Sequence, residues 1–386
     1  MSRRGRTAAI AILLGAVTAA ACARPIKPGD PLRGLTKLER AQFAQGRLVF
    51  DSTFTPETGL GPLFNSDGCG ECHEEPTAGG RGDEVEVHAA AFHAGTACDP
   101  LVEQGGPVIQ QHVTPALKAA LGIDQEPFPP GATARASRTT PVVFGRGLLD
   151  AVPDAVILAH ADPDDRDGDG ISGRPNRFFD GRLGRFGRKA LVPTLREFND
   201  GAFAAEQGIT DPAVPTEESV GGRPIPPGVD PVPEPEIGEE AATLADNFVR
   251  FLAAPTPLKG GREAERGRRL FGKVGCTGCH LPELRTGDSP IAALRHRRFA
   301  AYTDLLLHDM GPDLADICLG LATPSEFRTE PLMGLRSGKV FLHDGRAGTL
   351  EQAVELHGGE AARSRGRFKA LSDTERTALI AFLKTL

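Results

Sequence analysis

Two five-residue runs carry the clearest chemistry in the chain: Cys69-Gly70-Glu71-Cys72-His73 and Cys276-Thr277-Gly278-Cys279-His280. In a C-x-x-C-H run two thiols lie about one turn apart and can add to the two vinyl groups of a haem. The adjoining His then falls under the iron as proximal ligand. A zinc knuckle or a redox C-x-x-C could account for one copy. Two copies with His at the same offset point instead to two covalently attached haems of the c type. Cys69, Cys72 and His73 would hold haem one; Cys276, Cys279 and His280 would hold haem two. The sixth ligand of each iron decides its function. An iron with two protein ligands shuttles electrons, whereas an open face can bind peroxide or another small molecule.

A second group of residues has metal-ligand spacing. Asp165, Asp167 and Asp169 alternate, Gly170 allows a sharp turn, and Ile171 offers a carbonyl. This is the opening of a calcium loop, with Asn176 at the twelfth place where a Glu is usual. The cysteines divide cleanly. Of seven, four belong to the haem motifs and Cys22 directly follows an N-terminal leader, which leaves Cys98 and Cys318 as a candidate disulfide in an oxidising compartment.

These groups must be positioned by elements that repeat. Gly46-Arg47-Leu48-Val49-Phe50 precedes the first motif as Gly267-Arg268-Arg269-Leu270-Phe271 precedes the second. Downstream, Arg138-Thr139-Thr140-Pro141 is answered by Arg328-Thr329-Glu330-Pro331. The recurrence in one order reads as a duplicated domain. Between the copies, Asp211 to Glu236 is Pro-rich without apolar periodicity, which predicts a stiff, extended linker. Leu244, Phe248, Phe251 and Leu252 then mark one face of a helix. Near the end, Ser372 and Glu375 form a capping box ahead of Leu379, Ile380, Phe382 and Leu383. Strand signals are few. The expected fold is mainly α: two cytochrome c-like domains, the first with a long loop-rich insertion. The expected boundaries are 1–21 leader, 22–211 first domain with haem one and the calcium-like loop, 212–238 linker, and 239–386 second domain.

At 386 residues the chain is long enough for two cores. A formal charge of −7, with both signs interspersed, argues against a nucleic-acid partner. Arg3, Arg4 and Arg6 followed by an apolar run from Ala8 to Ala21 read as an export signal, too short to span a bilayer well. Ala19-Ala20-Ala21-Cys22 leaves two readings open, lipid attachment at Cys22 or plain cleavage at a small-residue site. Either places the mature chain in the periplasm or cell envelope.

Further runs carry a resemblance. Phe341-Leu342-His343-Asp344-Gly345 followed by Thr349-Leu350-Glu351-Gln352-Ala353-Val354 resembles bacterial di-haem cytochrome c peroxidases and MauG-type enzymes. The runs Asp-Gly-Asp-Gly-Ile-Ser-Gly-Arg-Pro-Asn, ending at Asn176, and Thr-Asp-Leu-Leu-Leu-His-Asp-Met-Gly, ending at Gly311, resemble the di-haem oxidoreductase family more closely. In the peroxidases the residue fourteen after the motif's His is the distal ligand of the second haem, commonly Met, and Tyr in MauG-type enzymes. Here it is His357, so the resemblance implies ligation of haem two by His280 and His357. Met310 and His308 are the rival ligands, and His308 is similar to a pocket histidine of the family. Imidazole in place of Met lowers an iron potential, which argues against haem two as a high-potential entry port.

Haem one has no counterpart to His357. His88, His93, His112 and His160 read as surface or supporting residues. By family position the resemblance implies Asp150 as the carboxylate that moves protons at an open haem one, and Arg138 as a propionate-side or peroxide-side cation. It also implies an oxidoreductase that reduces peroxide at haem one, with electrons from a small donor protein or cytochrome relayed by haem two. Calcium near the haem interface fits the same resemblance. The alternative is a non-catalytic electron-transfer cytochrome with both irons six-coordinate. A maturase acting through a high-valent haem pair is disfavoured, because MauG-type chemistry relies on a Trp between the haems. The chain has no Trp, and Tyr302 is its only phenol.

Overall fold

The computed structural model describes residues 24–386. The expected leader 1–21 and the candidate lipid-bearing Cys22 lie outside the described residues. Among the described residues, no helix is long and apolar enough to cross a membrane.

The duplicated segments fold into the same device. Thr36 caps the Lys37–Phe50 helix in a capping box with Glu39. Its Phe43 and Phe50 rings pack on Phe248, at centroid distances of 5.1 and 4.8 Å. Gly46 lets the backbones approach, since a Cβ there would sit 2.0 Å from the Leu244 carbonyl oxygen. In the second copy the Arg262–Val274 helix crosses the Asp373–Leu383 helix. A Cβ on Gly267 would lie 1.9 Å from the Ala378 carbonyl oxygen, and Phe271 meets Phe382 edge-on at 5.5 Å. In each copy the Gly makes the crossing and the Phe four residues later fills it. The same Phe lies near the motif histidine, Phe50 at 6.0 Å from His73 and Phe271 at 6.4 Å from His280.

Packing corrects the expected division. The Glu239–Phe251 helix, placed by sequence in the second domain, closes the core of the first copy. Nor is 212–238 a free spacer, because Val220 and Val229 join a cluster with Leu63 and Leu117. One core joins both copies, with Phe144, Leu149 and Phe186 packed together with Leu284, Leu294 and Leu306.

The expectation of a mainly α fold needs a second correction. Among the described residues helix makes up 33% and strand with isolated bridges 12%, so the fold is mixed. Val85–Ala90 pairs antiparallel with Ala134–Thr139 and Val108–Ile109. Leu307–Asp309 pairs with Glu326–Arg328. Ala-Arg-Ala-Ser-Arg-Thr is poor in β-branched and aromatic residues, and its strand is stabilised by cross-strand partners that local propensity does not register. The insertion is tied to the second copy by a Cys98–Cys318 disulfide, with Cα atoms 5.7 Å apart.

Candidate functional site: two C-x-x-C-H motifs and the cavity of the second

The two motif histidines are held alike. His73 directs Nδ1 at the Gly80 carbonyl oxygen, 3.2 Å away, and His280 directs Nδ1 at the Tyr302 carbonyl oxygen, 2.9 Å away. With Nδ1–H donating to a carbonyl, Nε2 is left as the free lone pair, the state a metal requires. Burial lowers the pKa of both rings, that of His280 to about 4, so both are neutral. The four motif cysteines are free thiols. Burial pushes Cys69 up to about 11 and Cys72 and Cys276 up to about 12, which keeps them protonated.

Beside the second motif lies a cavity of about 230 Å³. Cys276, Cys279 and His280 line it together with apolar Phe271, Leu335, Leu350, Val354 and Leu379. His357 lines it too, with Nδ1 held 2.6 Å from the Ala353 carbonyl oxygen and Nε2 again left over. Met310 and His308 reach the same cavity. Both nitrogens of His308 are occupied, Nε2 by Asp304 at 2.8 Å and Nδ1 by Glu360 at 2.7 Å. Burial opposes its charge, yet Asp304, Cys279 and Glu360 hold its pKa well above the ordinary value. An imidazolium has no lone pair to offer a metal, and both nitrogens of His308 are taken in this arrangement. An apolar slot with three neutral imidazoles (His280, His343 and His357), two thiols and an arginine rim of Arg81, Arg188 and Arg328 has the chemistry to hold a flat, metal-bearing macrocycle with an anionic edge.

At the first motif the structure redirects two expected roles. Asp150 accepts from the Leu195 N–H at 2.8 Å and pairs with Arg250, so it joins the Leu195–Gln207 and Glu239–Phe251 helices. Arg138 is buried in an ion pair with Asp316 at 2.8 Å, and Asp316 also takes Lys189 at 2.7 Å. Neither group is free. Three other carboxylates act on the motif instead, since Glu84, Glu206 and Glu86 all raise the Cys72 thiol further after burial has done so. Glu206 accepts from Asn65 at 3.0 Å, and burial, with the charge of Glu86 adding to it, holds its carboxyl well above the usual range. Glu86, despite burial, is held below its ordinary value by the hydrogen bond from His88 at 2.9 Å. No sequence motif marks either residue. Of the four histidines considered for haem one, His93, His112 and His160 are exposed and His88 is committed to Glu86.

The calcium-like loop differs from expectation in two ways. Asp165, Asp167 and Asp169 do converge, with ligand oxygens within 4.8 Å. Asn176 is turned away and buried, donating to the Lys189 and Leu319 carbonyls and accepting from the Leu321 N–H. The loop also leans on the second motif rather than the first, since Ile171 lines the cavity of His280 and packs over Gly278.

Comparison with known proteins places these features. A family described as "Di-haem oxidoreductase, putative peroxidase" matches residues 132–386. The methylamine utilization protein MauG of Methylorubrum extorquens is 32% identical over 140 residues, 33% of this chain and 35% of that protein. The match thus spans about a third of the length of that curated relative. Among solved structures, Kuenenia stuttgartiensis hydrazine synthase aligns over 99% of this chain and 100% of that chain at 14% identity and a TM-score of 0.40. A MauG-like protein associated with microbial copper homeostasis aligns over 94% and 91% at 16% identity, also with a TM-score of 0.40. Likeness at that level carries no argument about function.

Proposed function

The chain belongs to the di-haem oxidoreductase family, and on that footing we propose that it is an exported c-type enzyme that reduces peroxide at haem one with electrons relayed by haem two. The observation that carries the reading is the asymmetry between the motifs. His280 shares its cavity with a second neutral imidazole, His357, whose Nε2 is free. His73 is served by no such residue among His88, His93, His112 and His160, because three are exposed and His88 is spent on Glu86.

Cys69 and Cys72, and Cys276 and Cys279, would take the two haem groups as thioethers, with His73 and His280 as proximal ligands and His357 as the sixth ligand of haem two. Haem supplies one-electron chemistry and, where an axial place is open, a site for a peroxide oxygen. The protein's part at haem one is proton management. Burial raises the pKa of the Glu206 carboxyl while the hydrogen bond from His88 lowers that of Glu86, and both act on the Cys72 thiol, so a proton donor and an acceptor serve the same motif. Carboxylates with pKa values pushed apart are what acid–base work requires. Glu206 therefore replaces Asp150 as the proton-handling group. The reductant would be a small electron-donor protein or cytochrome, met in the periplasm or cell envelope, with Cys22 as the point of lipid attachment if the leader is of that kind. The Asp165, Asp167 and Asp169 carboxylates with the Ile171 carbonyl would hold calcium at the haem-two side.

Mass spectrometry and EPR test the reading together. The mature protein should carry the mass of two haems, with a high-spin ferric signal beside a low-spin one. Two low-spin signals at every redox level would mark a pure electron-transfer cytochrome instead.

A further inference from the structure

Between the two motifs lies a buried group of charges that does not balance. Glu330 is held by three guanidinium groups, Arg146 at 3.0 Å, Arg328 at 2.6 Å and Arg188 at 3.3 Å. Arg81 is the fourth member, lying close enough to feel the charges of Glu330, Arg188 and Arg146. Within the group one carboxylate faces four permanent cations, with Asp304 the next anion beside Arg328 and Glu86 the next beside Arg188. Guanidinium does not deprotonate in proteins, and an uncompensated buried charge is expensive. Two donors in the group are also unspent, for Arg81 Nε and Arg328 Nη1 are buried without a hydrogen-bond partner. Arg328 is only 6% exposed.

The group faces both motifs. Arg81, Arg188, Arg328 and Glu330 line the cavity of His280. Arg81 is tied by paired backbone hydrogen bonds to Glu75, two residues beyond His73. The charge of Arg146 reaches His73 itself. We propose that Arg81, Arg146, Arg188 and Arg328, arranged around Glu330, form one anion-binding pad that takes propionate carboxylates from both haems and links the two sites electrostatically. This rests on the di-haem reading of the two motifs. Guanidinium groups on the rim of an apolar cavity match the carboxylate edge of a macrocycle whose face is apolar, and bidentate pairing to carboxylates is what guanidinium does best. Four cations against Glu330, with Asp304 bonded to His308 and Glu86 to His88, leave room for the charge of more than one propionate, which a pad serving a single haem would not need.

Spectroelectrochemical titration of the two-haem protein tests this. A positive charge near an iron favours the reduced state. Arg328→Gln should therefore lower the potential of haem two, and Glu330→Gln should raise the potentials of both haems. Arg81→Gln, whose side chain has no acceptor to lose, should lower both and serves if Arg328→Gln does not fold. A merely structural role would give shifts of one sign in the Arg and Glu variants, or none, and either result overturns the proposal. A wild-type protein lacking two haems by mass would instead end the functional reading. Two haems with unmoved potentials end only the pad.

Discussion

At the scale of the residue, function turns on which nitrogen and which oxygen is free. His73, His280 and His357 each give Nδ1 to a backbone carbonyl and keep Nε2, whereas His308 spends both nitrogens on carboxylates. His357→Gly should therefore open haem two and convert its low-spin signal to high-spin, while haem one still binds cyanide. If the low-spin signal persists, the ligand is another residue lining that cavity, Met310, His308 or His343. Glu206→Gln should leave both resting spectra unchanged and slow peroxide turnover, by tenfold to several-hundredfold if the group acts as a general acid or base. The sign with pH follows from the raised pKa of Glu206: the protonated carboxyl persists well above pH 4.5, so turnover falls as pH rises through the folded value. That alkaline limb should vanish in the Gln variant. Asp150→Asn should act on stability, because Asp150 serves Arg250 and the start of a helix.

At the scale of the element, the paired helix crossings before each motif are the framework on which the ligands hang. Gly267→Ala would force a methyl group against the Ala378 carbonyl. Overpacking of that kind costs about 1–3 kcal/mol, which should appear as a lower denaturation midpoint with loosened His280 ligation. Gly272→Ala in the same helix meets nothing within 4 Å and should leave the midpoint unchanged or higher. Equal losses in the two variants would show that helix propensity, not the crossing, sets the effect.

At the scale of the molecule, the calcium-like loop belongs to the first half in sequence and to the second haem in space. Ser172, just past it, donates to Glu360, and Glu360 in turn holds His308. Chelation should accordingly perturb the haem-two spectrum and leave that of haem one alone, with Asp167→Ala mimicking the chelator. No response to chelator, added calcium or mutation would reduce the loop to a turn closed by its own carboxylates, of which the bond from Gly170 N–H to Asp165 is one closure.

What the sequence determined by itself is local and covalent in kind. The two C-x-x-C-H runs, the repeated Gly-to-Phe pentads and the capping box at Ser372 need only near neighbours in the chain, so spacing suffices to read them. The place of His357 came from resemblance. Only the tertiary structure decided which charges are spent. Arg138 pairs with Asp316, 178 residues away, and Arg146 with Glu330 across 184 residues. Glu330 fills the variable place of the Arg-Thr-x-Pro repeat, and Asp316 is marked by no periodicity or motif. The same holds for Glu206 and Glu86, and for the Glu239–Phe251 helix, which crossed the expected boundary because its Phe248 fits Phe43 and Phe50. A buried ion is tolerated only where the fold brings its partner, and that pairing is settled by burial and distance rather than by order along the chain.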